Sequence, residues 1–270
     1  MRPRLIVLLL AASWLAAPAL AAERLVLATT TSTANSGLLD VLIPAFSKAS
    51  GVTVHYMPVG TGKALAIARA CDADVVLVHA PDREKRFVAQ GFGVDRRPLA
   101  HNYFVLLGPP SDPAKIKGLA VAEALRRLAQ AKAPFLSRGD NSGTYIKERA
   151  LWKAAGVKTD WPGYKEGGRG MGAILTMADE LKAYTLSDIG TYRKYKSVGK
   201  IGLAELVSNQ DLLKNPYSVM MVNPARCPKV KIKQARALLD FLTGPQGQRI
   251  IADFRAGGQP LFWPATPTKP

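Results

Sequence analysis

The sequence predicts an α/β protein of two lobes, and three observations carry that expectation. Short apolar or β-rich runs alternate with segments of helical periodicity along the chain, the pattern of repeated βαβ units with parallel strands and helices on the sheet faces. The 270 residues exceed the roughly 100–150 usual for a single domain, even without a leader. A β-rich run late in the chain, followed by more helical periodicity, lets the C-terminal part return to the first lobe. The expected division is residues 23–104 with 216–270 as lobe I and 105–215 as lobe II. Each lobe is expected to be a mixed sheet flanked by helices, with a cleft between the two.

The elements follow in order. Residues 1–22 read as a cleavable signal peptide: Arg2 and Arg4 precede the apolar run Leu5–Leu15, and Ala19 and Ala21 suit cleavage after Ala21. That run is too short for a permanent span, and no later stretch approaches the roughly 20 apolar residues a membrane helix needs. Leu25–Ala28 reads as a strand, and Leu38, Leu39, Leu42, Ile43 and Phe46 recur at helical spacing until Gly51 stops them. Val52–Met57 is a strand, Gly60–Gly62 a turn, Lys63–Arg69 a helix and Val75–Val78 a buried strand. In the middle of the chain come the strand Tyr103–Leu107, the break at Pro109–Pro110, the run Phe135–Ser137 and a helix around Lys147–Ala155. After the Gly167–Gly168 turn follow a helix over Gly172–Lys182, the strands Tyr184–Leu186 and Tyr217–Val222, and a helical stretch over Ile232–Phe254 broken at Gly244–Pro245. Pro264–Pro270 reads as a frayed tail.

Composition narrows the function. Removing Arg2 and Arg4 with the leader takes the formal charge from +17 to +15, which draws anions but does not by itself separate nucleic acid, anionic membrane and small anion. The aromatics are scattered, without the basic and aromatic platform of a single-strand binder, so no nucleic-acid partner is expected. His55, His79 and His101 fall at no metal-ligand spacing and read as strand-end or loop residues, and no nucleophile elbow or H-E-x-x-H pair occurs. No enzyme activity, resident metal or cofactor is therefore expected. Cys71 and Cys227 are too few for a structural zinc site; in an exported chain they are free to form a disulfide, and the sequence leaves open whether they do.

Two segments concentrate donors between a strand and a helix. In Ala28–Thr33 five hydroxyl residues stand in a row; capping uses one of them, and unpaired N–H groups at a helix start favour negative charge. In Ser137–Thr144, Arg138 joins Ser142, Thr144 and two glycines at another helix start, where an Arg offers charge-assisted bonds to an oxyanion that a plain turn does not need. Val59–Lys63 is a third Gly-rich strand-to-helix turn, without Walker spacing, that serves either as a tight turn or as cleft lining through Thr61. Gly167–Gly172 is a fourth glycine cluster, and its incomplete G-x-G-x-x-G is rejected as a dinucleotide fingerprint.

LATTTSTANSGLLDVLIPAF from Leu27, VGTGKALAIARACDADVVLVHAPDREKRFVAQGFG from Val59, SRGDNSGTYIKE from Ser137 and YTLSDIGTY from Tyr184 together resemble the periplasmic tungstate-binding proteins of Tup-type ABC transporters. The resemblance implies a type II periplasmic binding protein fold that closes around a tetrahedral oxyanion. It also implies a periplasmic location, a monomeric state and an ABC transporter permease as partner. By motif, Thr30, Thr31 and Ser32 would contact the anion from the first lobe, and Ser137, Arg138, Ser142, Gly143 and Thr144 from the second; Thr61 is added from the turn argument. Cys71 stands where the family leads one to expect glycine or another small residue.

Donors without a spare acceptor suit a fully deprotonated anion such as tungstate, molybdate or sulfate, whereas phosphate keeps a proton and wants a carboxylate, for which Asp140 is the one nearby candidate. Tungstate and molybdate are nearly the same size, and only the resemblance favours tungstate. From another class, an exported phosphate-ester hydrolase would also use basic charge and helix starts, but would need an activated nucleophile, base or metal.

Overall fold

A computed structural model describes residues 24–140, 142–208, 210–256 and 258–265; the expected signal peptide lies outside them. The first lobe opens with β1 (Arg24–Thr30), α1 (Thr31–Asn35), α2 (Leu39–Ser50), β2 (Thr53–Val59), α3 (Thr61–Arg69), β3 (Val75–Val78), α4 (Pro81–Ala89) and β4 (Gly93–Gly108). The second contains α5 (Val121–Gln130), β5 (Phe135–Ser137), α6 (Gly143–Ala154), β6 (Tyr164–Glu166), α7 (Met171–Glu180), β7 (Thr185–Asp188), α8 (Ile189–Ser197) and β8 (Ala204–Val207). The chain then returns through β9 (Lys214–Val222), α9 (Ile232–Thr243), α10 (Pro245–Asp253) and the short strands β10 (Arg255–Ala256), β11 (Gln259–Pro260) and β12 (Trp263–Pro264).

In the first sheet the order is β12-β4-β9-β3-β1-β2, with β1 parallel to β2 and β3, and β9 antiparallel to β3 and β4. One face carries a core built with α2, α9 and α10, including Leu39, Phe46, Leu238 and Ile251; the other is covered by α3 and α4 through Ala64, Leu65, Ala68 and Phe87. In the second lobe β4 pairs antiparallel with β7 and β8, β5 runs parallel to β6, and Phe135 bridges Tyr184 in parallel. Its faces hold Leu125, Leu128, Leu151 and Trp152 on one side and Ile174, Leu175, Ile189 and Tyr192 on the other.

The two sheets share β4. Its residues up to Tyr103 pair with β9, and Phe104–Gly108 pair with β7 and β8. No core cluster mixes the two sets of residues. On that ground we infer that the lobes divide between Tyr103 and Phe104 and at the start of β9, one or two residues before the expected 104/105 and 215/216. β4 is much longer than the expected Tyr103–Leu107. Its first half contains Asp95 at positive φ and Pro98, which no apolar alternation marks; register shifts between Val94 and Arg97 and between Pro98 and Ala100 absorb them.

Cys71 and Cys227 are joined, with Cα atoms 5.3 Å apart. Cys71 sits just past the end of α3 at φ 67°, the left-handed position where a helix end normally takes glycine. The side chain replacing that glycine is the one that ties α3 to the segment after β9. Of the expected tail Pro264–Pro270, Pro264 pairs with Ala100 of β4 beside the Trp263–His101 pair, and Ala265 N–H donates to Leu99 O; residues 266–270 lie outside the described residues.

Candidate functional site

Parallel pairing places the site. The C-terminal ends of β1, β2 and β3 lie on one edge of the first sheet, so α1, α3 and α4 all start there; β5, β6 and β7 run parallel in the second lobe and launch α6, α7 and α8. Helix starts carry unpaired N–H groups and partial positive charge, and α/β sheets bind ligands at this end.

The two sets of helix starts meet. Thr191 Oγ1 of α8 donates to Ser32 O across the lobes (3.2 Å). A Cβ built on Gly143 would lie 2.8 Å from His79 Cε1, and one on Gly170, the N-cap of α7, 3.6 Å from Thr31 Oγ1. These contacts leave no room for larger side chains at Gly143, so the start of α6 reaches the end of β3 backbone-first.

On the lobe I side Thr30 caps α1: its Oγ1 accepts Thr33 N–H (3.2 Å) and also bonds Thr33 Oγ1 (2.7 Å) and Ser32 Oγ (3.1 Å). Ser32 Oγ lies 3.0 Å from His79 Nε2. On the lobe II side Ser142 caps α6 by accepting Tyr145 N–H (3.1 Å). Ser137 Oγ donates to Glu148 (2.8 Å) and accepts Gly139 N–H (3.3 Å). Arg138, only 2% exposed, donates through Nη2 to Asp140 (2.5 Å), whose other oxygen accepts Ser142 N–H (3.0 Å). The hydroxyls of Thr30, Ser137 and Ser142 are thus committed to shaping the turns.

Four other polar atoms are buried and have no hydrogen-bond partner among the described residues: Thr31 Oγ1, Thr61 Oγ1, Arg138 Nε and Thr144 Oγ1. Each belongs to a residue singled out from the sequence. Buried polar groups in folded proteins are almost always paired, and each orphan costs about 1–3 kcal/mol. All four belong to turns or first helical turns at which β1, β2 and β5 launch α1, α3 and α6.

His79 was read from the sequence as a strand-end or loop residue and emerges as a wall of this site. It is 4% exposed, and its ring stacks on Tyr217. Nδ1 is 2.9 Å from Asn215 Oδ1, and a carbonyl oxygen only accepts, so Nδ1 carries the proton. Asn215 Nδ2 in turn donates to Asn102 Oδ1 (2.8 Å) and Tyr217 OH (3.1 Å), which fixes the amide orientation. Burial, only partly offset by the Asn215 bond and reinforced by the Arg138 charge, lowers the His79 pKa to about 4. The ring is neutral, and its Nε2 accepts the Ser32 hydroxyl. Asp188, at the start of α8, is raised to about 6 by burial despite bonds from Thr191 N–H and Oγ1 and the nearby Arg138 charge. Both carboxylates near the site, Asp140 and Asp188, are occupied by helix-start N–H groups and side chains. Among the described residues no cluster of His, Cys, Asp and Glu is arranged to hold a metal ion.

Residues 17–246 match the model of the PBP superfamily domain, so the fold and its ring of helix starts define a solute-binding protein rather than an enzyme, and the hydrolase reading is set aside. A structure of the tungstate ABC transporter from Geobacter sulfurreducens is 50% identical with a TM-score of 0.81, covering 86% of this chain and 99% of that one. The tungstate-binding protein TupA from Desulfovibrio alaskensis is 45% identical with a TM-score of 0.77, over 91% and 100% of the two chains. TupA of Campylobacter jejuni is 43% identical over 236 residues, 86% of this chain and 87% of its own. The chain belongs to the TupA family of tungstate-binding proteins within that superfamily.

Proposed function

We propose that this protein is the extracytoplasmic component of an ABC transporter that binds tungstate between its lobes and presents it to the permease, acting as a monomer exported to the periplasm by its N-terminal leader. The observation that carries the reading is the set of buried, unpartnered donors on Thr31, Thr61, Arg138 and Thr144 at facing helix starts. The names of the TupA relatives supply tungstate as the anion.

The chemistry fits a fully ionised tetrahedral oxyanion. A dianion leaves water only if fixed donors replace its shell. Hydrogen bonds to charged groups are worth about 1.5–3 kcal/mol each, so four give about 6–12 kcal/mol, against about 12 kcal/mol for nanomolar affinity. Backbone N–H groups at the starts of α1, α3 and α6, Gly143 among them, add to that. Thr30, Ser32, Ser137 and Ser142 hold these starts in place. Asp140 and Asp188 already accept bonds from helix-start N–H groups and side chains, so neither is held free for the proton that phosphate keeps.

The same orphans couple binding to closure. Bringing the lobes together without an anion would bury four unsatisfied groups at about 1–3 kcal/mol each. An oxyanion that pairs them shifts the population to the closed form, which the permease distinguishes from the open one.

Calorimetric titration of the leaderless protein with tungstate, against molybdate, sulfate and phosphate, tests this. Tight one-to-one tungstate binding that collapses in Arg138→Ala supports ligand and site together. Heat from phosphate or sulfate but not tungstate refutes the ligand, and silence toward all four refutes the site.

A further inference from the structure

Between α4 of lobe I and α6 of lobe II runs a groove of about 540 Å³ with Arg83, Arg86, Lys147 and Lys214 in its walls and Asp82 as the single acid among its lining residues. Arg86 Nε donates to the Asp82 backbone carbonyl (3.3 Å), and Lys147 Nζ to that of Lys214 (3.4 Å) while lying over the Phe104 ring. None of these three cations forms an ion pair with a carboxylate among the described residues. Burial lowers the pKa of Lys147, and burial followed by the charge of Arg86 lowers that of Arg83. Arg83 and Arg86 are therefore like charges held close together, and Lys147 is partly desolvated, an arrangement that an anion in the groove would favour. A second groove of about 320 Å³ on the other side of α4 adds Arg69 to Arg83 and Arg86 and prolongs the basic strip.

The position of the larger groove gives the charge a purpose. His79 and Gly143 are among its lining residues, and the same two residues touch each other at the wall of the oxyanion site. Elsewhere the lobes are tied together: Thr191 bonds Ser32 O, and Arg193 of α8 donates to Pro260 O (2.7 Å). The α4–α6 groove is open space that reaches the site wall.

We propose that this groove is the entry vestibule for the oxyanion: its cations capture a small dianion at the outer face of His79 and Gly143, and it passes inward when the lobes part. The inference rests on the oxyanion-binding function proposed above. A cation about 10 Å from a dianion in water raises the local encounter about threefold at ~10 mM salt and about 1.5-fold at ~150 mM, where the Debye length is about 8 Å. Arg86→Gln/Lys147→Gln should therefore slow tungstate association about sevenfold at ~10 mM salt and about twofold at ~150 mM, with dissociation unchanged, in stopped-flow tryptophan fluorescence. Lys48→Gln/Lys233→Gln removes the same charge from exposed positions on α2 and α9, on the opposite sheet face, and should leave association within about 1.5-fold of wild type. Arg86→Gln alone, on an exposed side chain, should give about threefold at low salt and serves if the double variant folds poorly. Equal slowing in the groove and control pairs, or no slowing in the groove variants, overturns the vestibule while the binding function stands. Absence of tungstate binding by the wild type overturns both.

Discussion

Thr144→Val separates a binding role for the Thr144 hydroxyl from a structural one. Thr144 is fully buried in the first turn of α6, and its Oγ1 has no partner among the described residues. Valine keeps the β-branched shape and removes only the hydroxyl, so helix propensity and packing change little. Measured without tungstate, with the lobes apart and the hydroxyl reached by water, stability should stay within about 0.5 kcal/mol of wild type, roughly 1–2 °C in Tm for about 250 residues. Tungstate affinity should fall by the value of one hydrogen bond to a charged acceptor, about 1.5–3 kcal/mol, or roughly 10- to 150-fold in Kd. Differential scanning fluorimetry and calorimetry on the same preparation read both. Loss of affinity at unchanged stability is the signature of a group kept for a ligand. A Kd within threefold of wild type, or a loss of stability, would show that Thr144 Oγ1 faces no ligand, and the argument from orphaned donors would fall with it.

Three further outcomes are expected. Gly143→Ala places a Cβ 2.8 Å from His79 Cε1 and 3.2 Å from its carbonyl oxygen, so the variant should fold with near-normal stability but lose at least tenfold in tungstate affinity and fail to contract in small-angle scattering when tungstate is added; normal contraction would count against closure at this contact. Glu148 is buried, and burial raises its pKa to about 7 despite bonds from Tyr164, Ser137 and Trp152. Because its folded pKa lies above the unfolded one, its contribution is fully present below about pH 4.5 and is lost as pH rises to about 7, by about 3 kcal/mol in total; Glu148→Gln should flatten the fall in Tm between about pH 4.5 and 7.5, and an unchanged profile would refute the assignment. Reducing the Cys71–Cys227 bond, which closes a loop of 156 residues, should cost about 2–5 kcal/mol of stability in chemical denaturation, while tungstate affinity stays within a few fold because the bond lies at the opposite end of α3 from Thr61.

What the sequence shows clearly are the elements whose burial follows a simple period. α2, with Leu39, Leu42, Ile43 and Phe46 inward, and the fully buried β3 are read close to their true limits. α4 and α8 carry no such signal. In α4 only Glu84 and Phe87 are buried among many charges, and in α8 the buried residues Ile189–Tyr192 are contiguous because that turn is wedged between the lobes. Their core contacts, Phe87 in α4 and Ile189 and Tyr192 in α8, are too few or too closely spaced to give a helical period. α5 does have a period, with Val121, Ala124, Leu125 and Leu128 buried, and was open to the same reading as α2. The site is legible where chemistry exceeds local need: more hydroxyls than a cap uses at Thr29–Thr33, and an Arg that a turn does not require at Arg138.

His79 shows where that style of reading stops. A lone histidine after Val75–Val78 has no sequence partner, since Ser32, Asn215 and Tyr217, which define its tautomer, proton state and orientation, come from two distant elements, α1 and β9. Its neutrality also matters to the site. A charged imidazole beside Arg138 would add attraction for a dianion but would repel that guanidinium and reverse the Ser32 bond, with Nε2–H donating to the hydroxyl oxygen. The neutral ring instead gives Gly143 a flat surface to pack on and leaves Arg138 as the buried positive charge of the proposed oxyanion site. The selectivity of such a site then rests on the count and direction of donors rather than on net charge, and those donors sit on residues whose local structure does not need them.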